Sequence, residues 1–278
     1  MKVQKIFSKN AQYQKFEVLK TNRNKRFKYN EFFVEGVRNI NEAIHNNWSI
    51  VSFLYSTQDK LSDWASNTIK ETQTEMNYEL TSELLIELSS KEDSSELLAI
   101  VKMRQDNINQ IKMGDYPLLA IFDRPSNKGN LGTMIRSCDA LGVNGLIITG
   151  HSVDLYDPDV IASSMGSFFK VPVIRMTENS TLLDWIEDLR KSYPGLTIVG
   201  SSAHADMKLY EIDLTVPTIF LIGNETVGLN NNLTELSDIM ITIPMDVNSS
   251  ATAFNVSSAA TVLFYEAMRQ RKDLYMKG

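Results

Sequence analysis

The sequence predicts an α/β protein of two domains, a small α/β unit over 1–113 and a larger parallel-sheet unit over 114–278. Three observations predict it. From Pro117 onward, short wholly apolar runs alternate with helical periodicity, the pattern of a parallel sheet covered on both faces. A polar stretch at 104–110 and breakers at 114–117 interrupt the chain just before that pattern begins. Finally, 278 residues, 43% hydrophobic and 22% charged, carry enough apolar mass for two cores.

The elements follow in order. Val37, Ile40 and Ile44 recur at helical spacing and predict a helix over 35–46, followed by a strand over 50–55. A helix over 61–72, Thr81 as N-cap of a helix over 83–88, and a strand over 97–101 complete the first unit. In the second unit the apolar runs 118–123, 145–149, 171–175, 196–201, 218–222 and 239–243 predict strands. Helices are predicted between and after them, over 133–141, 158–165, 182–192 and 255–271. No internal repeat is visible.

Composition excludes several classes of function. No apolar run approaches the roughly 18 residues that cross a bilayer, and the amino terminus lacks the apolar stretch of a secretion signal, so a cytoplasmic protein without a membrane partner is expected. A single cysteine, Cys138, excludes an internal disulfide, and with only three histidines no metal site is expected. The net charge of −6 hides an asymmetry: residues 1–40 carry ten Lys or Arg against three Glu, a local +7, leaving −13 for the remainder. Within it, Arg23, Lys25, Arg26 and Lys28 interleave with Phe27 and Tyr29. That mixture can neutralise phosphates and stack on unpaired bases, and it can equally be a solvated charge run beside a helix.

Parallel sheets bind ligands beyond the carboxyl ends of their strands, and three such loops carry chemistry. The first reads Asn127-Lys-Gly-Asn130-Leu-Gly132 and leads to Arg136, which falls off the apolar stripe of Met134, Ile135, Cys138 and Leu141. It lacks the glycine spacing of a dinucleotide loop and the Lys-Ser/Thr of a P-loop; a turn with Asn130 as helix cap and a surface arginine is the bland alternative. The second reads Gly223-Asn-Glu225-Thr-Val-Gly228, and the third runs from Ile243-Pro-Met245 to Phe254-Asn255-Val-Ser. Beyond it, Val256, Ala259, Ala260, Leu263 and Ala267 form a helical stripe rich in small side chains.

The set Asn127-x-Gly-Asn130-x-Gly132-x-x-x-Arg136, Gly223-Asn-Glu225-x-x-Gly228 and Ile243-Pro-Met245 with Phe254-Asn255-Val-Ser resembles the SpoU (TrmH-like) family of RNA ribose 2′-O-methyltransferases. The intervening Asp154-Leu-Tyr-Asp-Pro-Asp and Ala162-Ser-Ser-Met-Gly-Ser-Phe-Phe also resemble that family, and the likeness spans 117–272. The amino-terminal unit resembles, more loosely, the ribosomal-protein-like domain many members use to hold RNA. The resemblance implies a SPOUT-type trefoil knot at the carboxy-terminal end, S-adenosylmethionine (AdoMet) as methyl donor, a homodimer, and RNA as substrate. Ribosomal RNA is favoured, with transfer RNA the alternative; the two-domain plan is similar to the thiostrepton-resistance branch.

Carried over residue by residue, the resemblance implies that Arg136 binds the target phosphate and stabilises a developing alkoxide. Asn130, Glu225 and Asn255 orient Arg136 and the ribose, with Glu225 alternatively the base or the cap of a helix starting near Val227. The donor pocket is expected at Gly223, Ile243 and Phe254, with Ser201 beside them, and RNA at Arg23, Lys25, Arg26, Phe27 and Lys28. One departure stands out: Ala253 and Phe254 replace the family's common Ser-Leu before Asn255, and the loop after Pro244 is longer. On that departure rests the competing reading, an RNA-binding assembly factor of the same fold without turnover. A nucleotide-dependent small-molecule enzyme is a third reading and rests on the parallel sheet alone.

Overall fold

The computed structural model describes residues 2–89 and 95–272, which divide into two compact units: 2–105 with 154–170, and 106–153 with 171–272. The unit boundary thus falls near 105, slightly before the expected join, and 154–170 groups with the amino-terminal unit although the sequence pattern placed it in the carboxy-terminal one.

The first unit begins with β1 (Val3–Ile6), α1 (Ala11–Thr21), α2 (Arg23–Tyr29), β2 (Glu31–Glu35) and α3 (Val37–His45). It continues through β3 (Ile50–Tyr55), α4 (Asp63–Glu71), β4 (Asn77–Leu80), α5 (Ser82–Leu88) and β5 (Leu97–Lys102). The sheet order is β1-β4-β3-β5-β2, with β5 antiparallel to β2 and β3 and the other pairs parallel. Thr81 caps α5 as expected, accepting from Leu84 N at 3.4 Å. Strands β1, β2 and β4 and helices α1 and α2 were not foreseen; β1 and β4 are four residues each, too short to show alternation.

Alternation along β2 explains both sides of this sheet. Phe33 joins Tyr13, Phe16, Leu19, Leu54 and Leu98 in one core, whereas Phe32 turns to the other face and meets Tyr156, Phe168 and Phe169 at ring separations of 4.9, 5.8 and 6.3 Å. The Trp48 indole closes this cluster, donating to the Phe169 carbonyl at 2.8 Å.

In the second unit, β6 (Leu118–Asp123), α6 (Lys128–Ala140) and β7 (Gly145–Thr149) precede the excursion 154–170, which carries α7 (Pro158–Ser164). The unit resumes with β8 (Val173–Met176), α8 (Asn179–Ser192), β9 (Thr197–Ser201), β10 (Met207–Lys208), β11 (Thr218–Ile222), α9 (Asn231–Leu236), β12 (Ile239–Thr242) and α10 (Val256–Gln270). Seven parallel strands run in the order β10-β12-β9-β11-β6-β7-β8.

Strands β6, β7 and β11 are buried along their whole length because helices cover both faces, which is why each reads as an unbroken apolar run. On one face Ile121, Ile147 and Leu221 pack with Leu182, Ile186 and Leu189 of α8. On the other, Phe220 meets Phe264 of α10 at 6.0 Å. Helix α10 packs on α6 across small residues, with Ser137 and Thr261 hydroxyls 2.7 Å apart. The fully buried Arg271 guanidinium beyond α10 donates to the carbonyls of Tyr116, Leu214 and Val216, three acceptors in the loops before β6 and β11.

Candidate active site

The three loops singled out by the sequence lie in the second unit and are joined there by hydrogen bonds. Beyond β11 the chain turns tightly, with Asn224 and Gly228 exchanging backbone bonds of 3.0 Å and Gly228 at φ +70°. This turn carries Glu225. Its Oε2 accepts from Ser126 N at 3.0 Å and Ser126 Oγ at 2.7 Å; its Oε1 accepts from Asn127 N at 3.0 Å and Asn130 Nδ2 at 3.3 Å. Asn130 Oδ1 in turn accepts from Asn255 Nδ2 at 3.1 Å. Asn255 Oδ1 caps α10, accepting from Ser257 N at 3.0 Å and Ser258 N at 3.4 Å.

One relay, Asn255 to Asn130 to Glu225, therefore links segments 125 and 95 positions apart. A carboxylate accepts without donating, so Glu225 fixes which way the Asn130 amide points, and Asn130 then fixes Asn255. The glycine-containing segment is not a turn before the helix: α6 starts at Lys128 rather than Thr133, with Asn127 as its cap accepting from Asn130 N at 2.9 Å. The cap role offered to Asn130 belongs to Asn127. Nor does Glu225 cap a helix near Val227, since the next helix, α9, begins at Asn231 and is capped by Asn230. Arg136 lies on the exposed face of α6 with Thr133 and Ala140, and among the described residues it has no hydrogen-bonded or charged partner.

Burial works against the Glu225 charge, but the donors on Ser126 and Asn130 outweigh it and hold the carboxyl below its usual range. Such a group is ionised throughout the neutral range and is a poor proton acceptor. The depressed value also sets a sign: the stabilisation Glu225 supplies is complete above the unfolded value and is lost as pH falls through the lower, folded one, in the acid range. The rate of the enzyme is accordingly expected to show no Glu225 inflection between about pH 6 and 9. A pH–rate profile with an inflection there that disappears in Glu225→Gln contradicts this assignment.

Ser201, Gly223 and Ile243 stand at the carboxyl ends of β9, β11 and β12, three neighbouring strands. Ladder pairing stops at Leu221 opposite Gly200 and at Ile241 opposite Ser201, so the backbone of 223 and 243 lies past the last paired residues. Ser201 Oγ donates to the Leu221 carbonyl at 3.3 Å, and Phe254, 44% exposed, precedes Asn255. Neutral backbone groups and an exposed ring fit an adenosine, which is read by amides, carbonyls and stacking rather than by charge. Gly223 admits no side chain: a Cβ there would stand 2.5 Å from Gly228 C and Leu229 N, both backbone. Gly223→Ala is expected to cost about 1–3 kcal/mol in urea unfolding and to weaken AdoMet binding in calorimetry.

The basic candidates lie on α2 in the first unit. Arg23, Phe27 and Lys28 are exposed and Lys25 is half-buried; the Arg23 guanidinium sits 5.7 Å from the Phe27 ring centre. Arg26 is a correction. It is 1% exposed, its Nε donating to Asp154 Oδ2 at 2.7 Å, Nη2 to Asp157 Oδ2 at 3.3 Å, and Nη1 to the carbonyls of Leu19 and Lys20. A guanidinium so enclosed does not present itself to a phosphate. Sequence reasoning also missed Ser126, whose amide and hydroxyl both hold Glu225; an exposed serine in a loop carries no signal of that kind.

Comparison with known proteins identifies the family. Residues 117–265 match the SpoU rRNA Methylase family and residues 10–99 the SpoU L30e-like domain. The chain is 41% identical to a 23S rRNA (uridine(2479)-2′-O)-methyltransferase of Streptomyces viridochromogenes, covering 96% of this chain and 92% of that protein. It is 24% identical to the 23S rRNA (guanosine(2553)-2′-O)-methyltransferase RlmP of Bacillus subtilis, over 93% and 96%. Among solved structures it is similar to the SpoU methyltransferase AviRb of Streptomyces viridochromogenes in complex with AdoMet, with a TM-score of 0.89, 40% identity, and coverage of 95% of this chain and 98% of that one. The relay of Asn130, Glu225 and Asn255, on the helix that also exposes Arg136, thus occurs in a chain that belongs to the SpoU rRNA methylase family.

Proposed function

We propose that this protein transfers the methyl group of AdoMet to a ribose 2′-hydroxyl of ribosomal RNA, in the large-subunit RNA on which its 41%-identical relative acts. The observation that carries the reading is the relay from Asn255 through Asn130 to Glu225, which ties the three loops together on the helix that also carries Arg136, an arginine with no hydrogen-bonded or charged partner among the described residues. When bound, AdoMet supplies an electrophilic methyl carbon, so the protein's own task is to place the 2′-oxygen on the methyl axis and to manage its proton.

Arg136 binds the phosphate beside the target ribose and stabilises the alkoxide; a guanidinium offers only donors and no acceptor, so it is not the base. Glu225 is occupied by the donors of Ser126, Asn127 and Asn130 and serves to orient Asn130, so the departing proton goes to the substrate phosphate or to water. Backbone groups of Gly223 and Ile243, with Phe254 and Ser201, hold the adenosine. Arg23, Lys25, Phe27 and Lys28 contact RNA in a salt-dependent way. Ala253 does not argue for a factor without turnover, because Asn255 reaches Asn130 with no side chain at 253 taking part.

Further parts of the reading concern assembly. The segment 243–255 passes through a trefoil knot with the 223–228 turn, and the chain acts as a homodimer in the cytoplasm. Supporting the dimer, Val262 and Tyr265 stand exposed on the outer face of α10; supporting the location, no helix among the described residues is long and apolar enough to cross a membrane. Incubation with methyl-labelled AdoMet and separate pools of ribosomal and transfer RNA tests the proposal. Label at a ribose 2′-oxygen of ribosomal RNA is expected. Label confined to transfer RNA overturns the substrate, and no label in either pool overturns the activity.

A further inference from the structure

Asp123, the last residue of β6, is a carboxylate 1% exposed that collects five hydrogen bonds. Two come from Arg124, Nε at 3.0 Å and Nη2 at 2.8 Å; one from Thr149 Oγ1 at 2.9 Å; two from Asn230, N at 3.0 Å and Nδ2 at 3.1 Å. Asn230 is the cap of α9 and closes the loop that contains the Glu225 turn. The carboxylate thus pins the far end of that loop to the end of the central strand.

Arg124 pins the turn itself. Its Nη2 also donates to the Gly228 carbonyl at 3.2 Å, and its own carbonyl accepts from Asn224 Nδ2 at 2.7 Å. Asn224 and Gly228 are the two residues that close the turn, so Arg124 grips it at both ends. The grip requires an unusual backbone. Arg124 lies at φ +49°, in the left-handed region that a long side chain rarely adopts, and its stem crosses Gly150, where a Cβ would come within 2.7 Å of Arg124 Cγ. Strain of this kind persists where surrounding contacts over-determine it, and it gathers at functional sites. Here those contacts hold the turn that presents Gly223 and Glu225.

We infer that Asp123 and Arg124 form a latch that sets the 223–228 turn against the first turn of α6, acting as positioning residues for methyl transfer through Glu225. The inference rests on the methyltransferase reading. Without the latch the turn remains closed by its own Asn224–Gly228 bonds but loses its fixed place beside Ser126, Asn127 and Asn130. A misplacement of that order at a catalytic constellation costs about 10²-fold in rate.

The test combines AdoMet calorimetry, RNA binding and single-turnover methyl transfer on the full-length chain. Arg124→Gly suits the left-handed backbone; it removes the guanidinium together with its stem and keeps the carbonyl that accepts from Asn224 Nδ2. Expected are a rate lowered by about 10²-fold and weakened AdoMet binding, with RNA affinity unchanged. Arg124→Lys keeps the charge but cannot span Asp123 and Gly228 together, and an intermediate rate is expected. Because the latch acts through Glu225, adding Arg124→Gly to Glu225→Gln is expected to cost nothing further. A fully additive loss overturns the inference, as does a parental rate in the folded fraction of Arg124→Gly, accompanied only by a lower melting temperature. Should Arg124→Gly fail to fold, a parental rate in Arg124→Lys overturns it by itself. Failure of the parent protein to bind AdoMet overturns the underlying reading instead, so the two failures are distinct.

Discussion

Arg136→Ala is expected to lower methyl transfer by at least about 10²–10³-fold, the loss that follows removal of one donor to a developing oxyanion, while AdoMet binding stays at its parental value. The split follows from position. Arg136 lies on the exposed face of α6 without a hydrogen-bonded or charged partner among the described residues, so its removal breaks no such bond there, whereas the expected donor residues stand at the ends of β9, β11 and β12. Arg136→Lys keeps the charge but loses the planar fork and is expected to recover part of the rate. Single-turnover kinetics with labelled donor, alongside calorimetry, check both. Equal rates for Arg136→Ala and parent contradict the role assigned to this residue.

Arg26→Ala is expected to destabilise the protein by about 3–5 kcal/mol, the cost of leaving buried charge unpaired. The substitution takes the guanidinium away from the Asp154 and Asp157 carboxylates and from the carbonyls of Leu19 and Lys20. Urea unfolding measures the loss. Removing the whole charge cluster, as in Arg26→Met with Asp154→Leu and Asp157→Asn, is expected to restore much of it, because no unpaired charge is left. The measurement separates two accounts of one residue. If Arg26→Ala keeps the parental unfolding midpoint and loses RNA affinity instead, the residue belongs to the RNA surface after all.

That residue also marks where the sequence stops being legible. In a run of +7 over forty positions an arginine reads as solvated, because the two aspartates that claim it lie 128 and 131 positions away. The grouping of 154–170 with the amino-terminal unit was hidden in the same way, since Tyr156, Phe168 and Phe169 find Phe32 and Trp48 only in three dimensions. By contrast, β6, β7 and β11 were readable to the residue. Burial on both faces leaves no polar position to blur a strand's edges.

The site was legible as loops but not as bonds. The rule that parallel sheets carry ligands past their strand ends directed attention to 127–132, 223–228 and 243–255. The start of α6 was misplaced because Gly129 and Gly132 look like turn residues, whereas Asn127 caps the helix ahead of both. Arg124 gave no warning, as left-handed backbone at an arginine is imposed by tertiary contacts rather than by propensity.

A crystal structure of the protein grown with AdoMet tests the central claim most directly. The account predicts an adenosine lying against the backbone of Gly223 and Ile243 and beside Phe254, with the methyl carbon directed toward the exposed side of α6 where Arg136 stands. A donor bound anywhere else on the chain, or no density at those strand ends under saturating AdoMet, contradicts it.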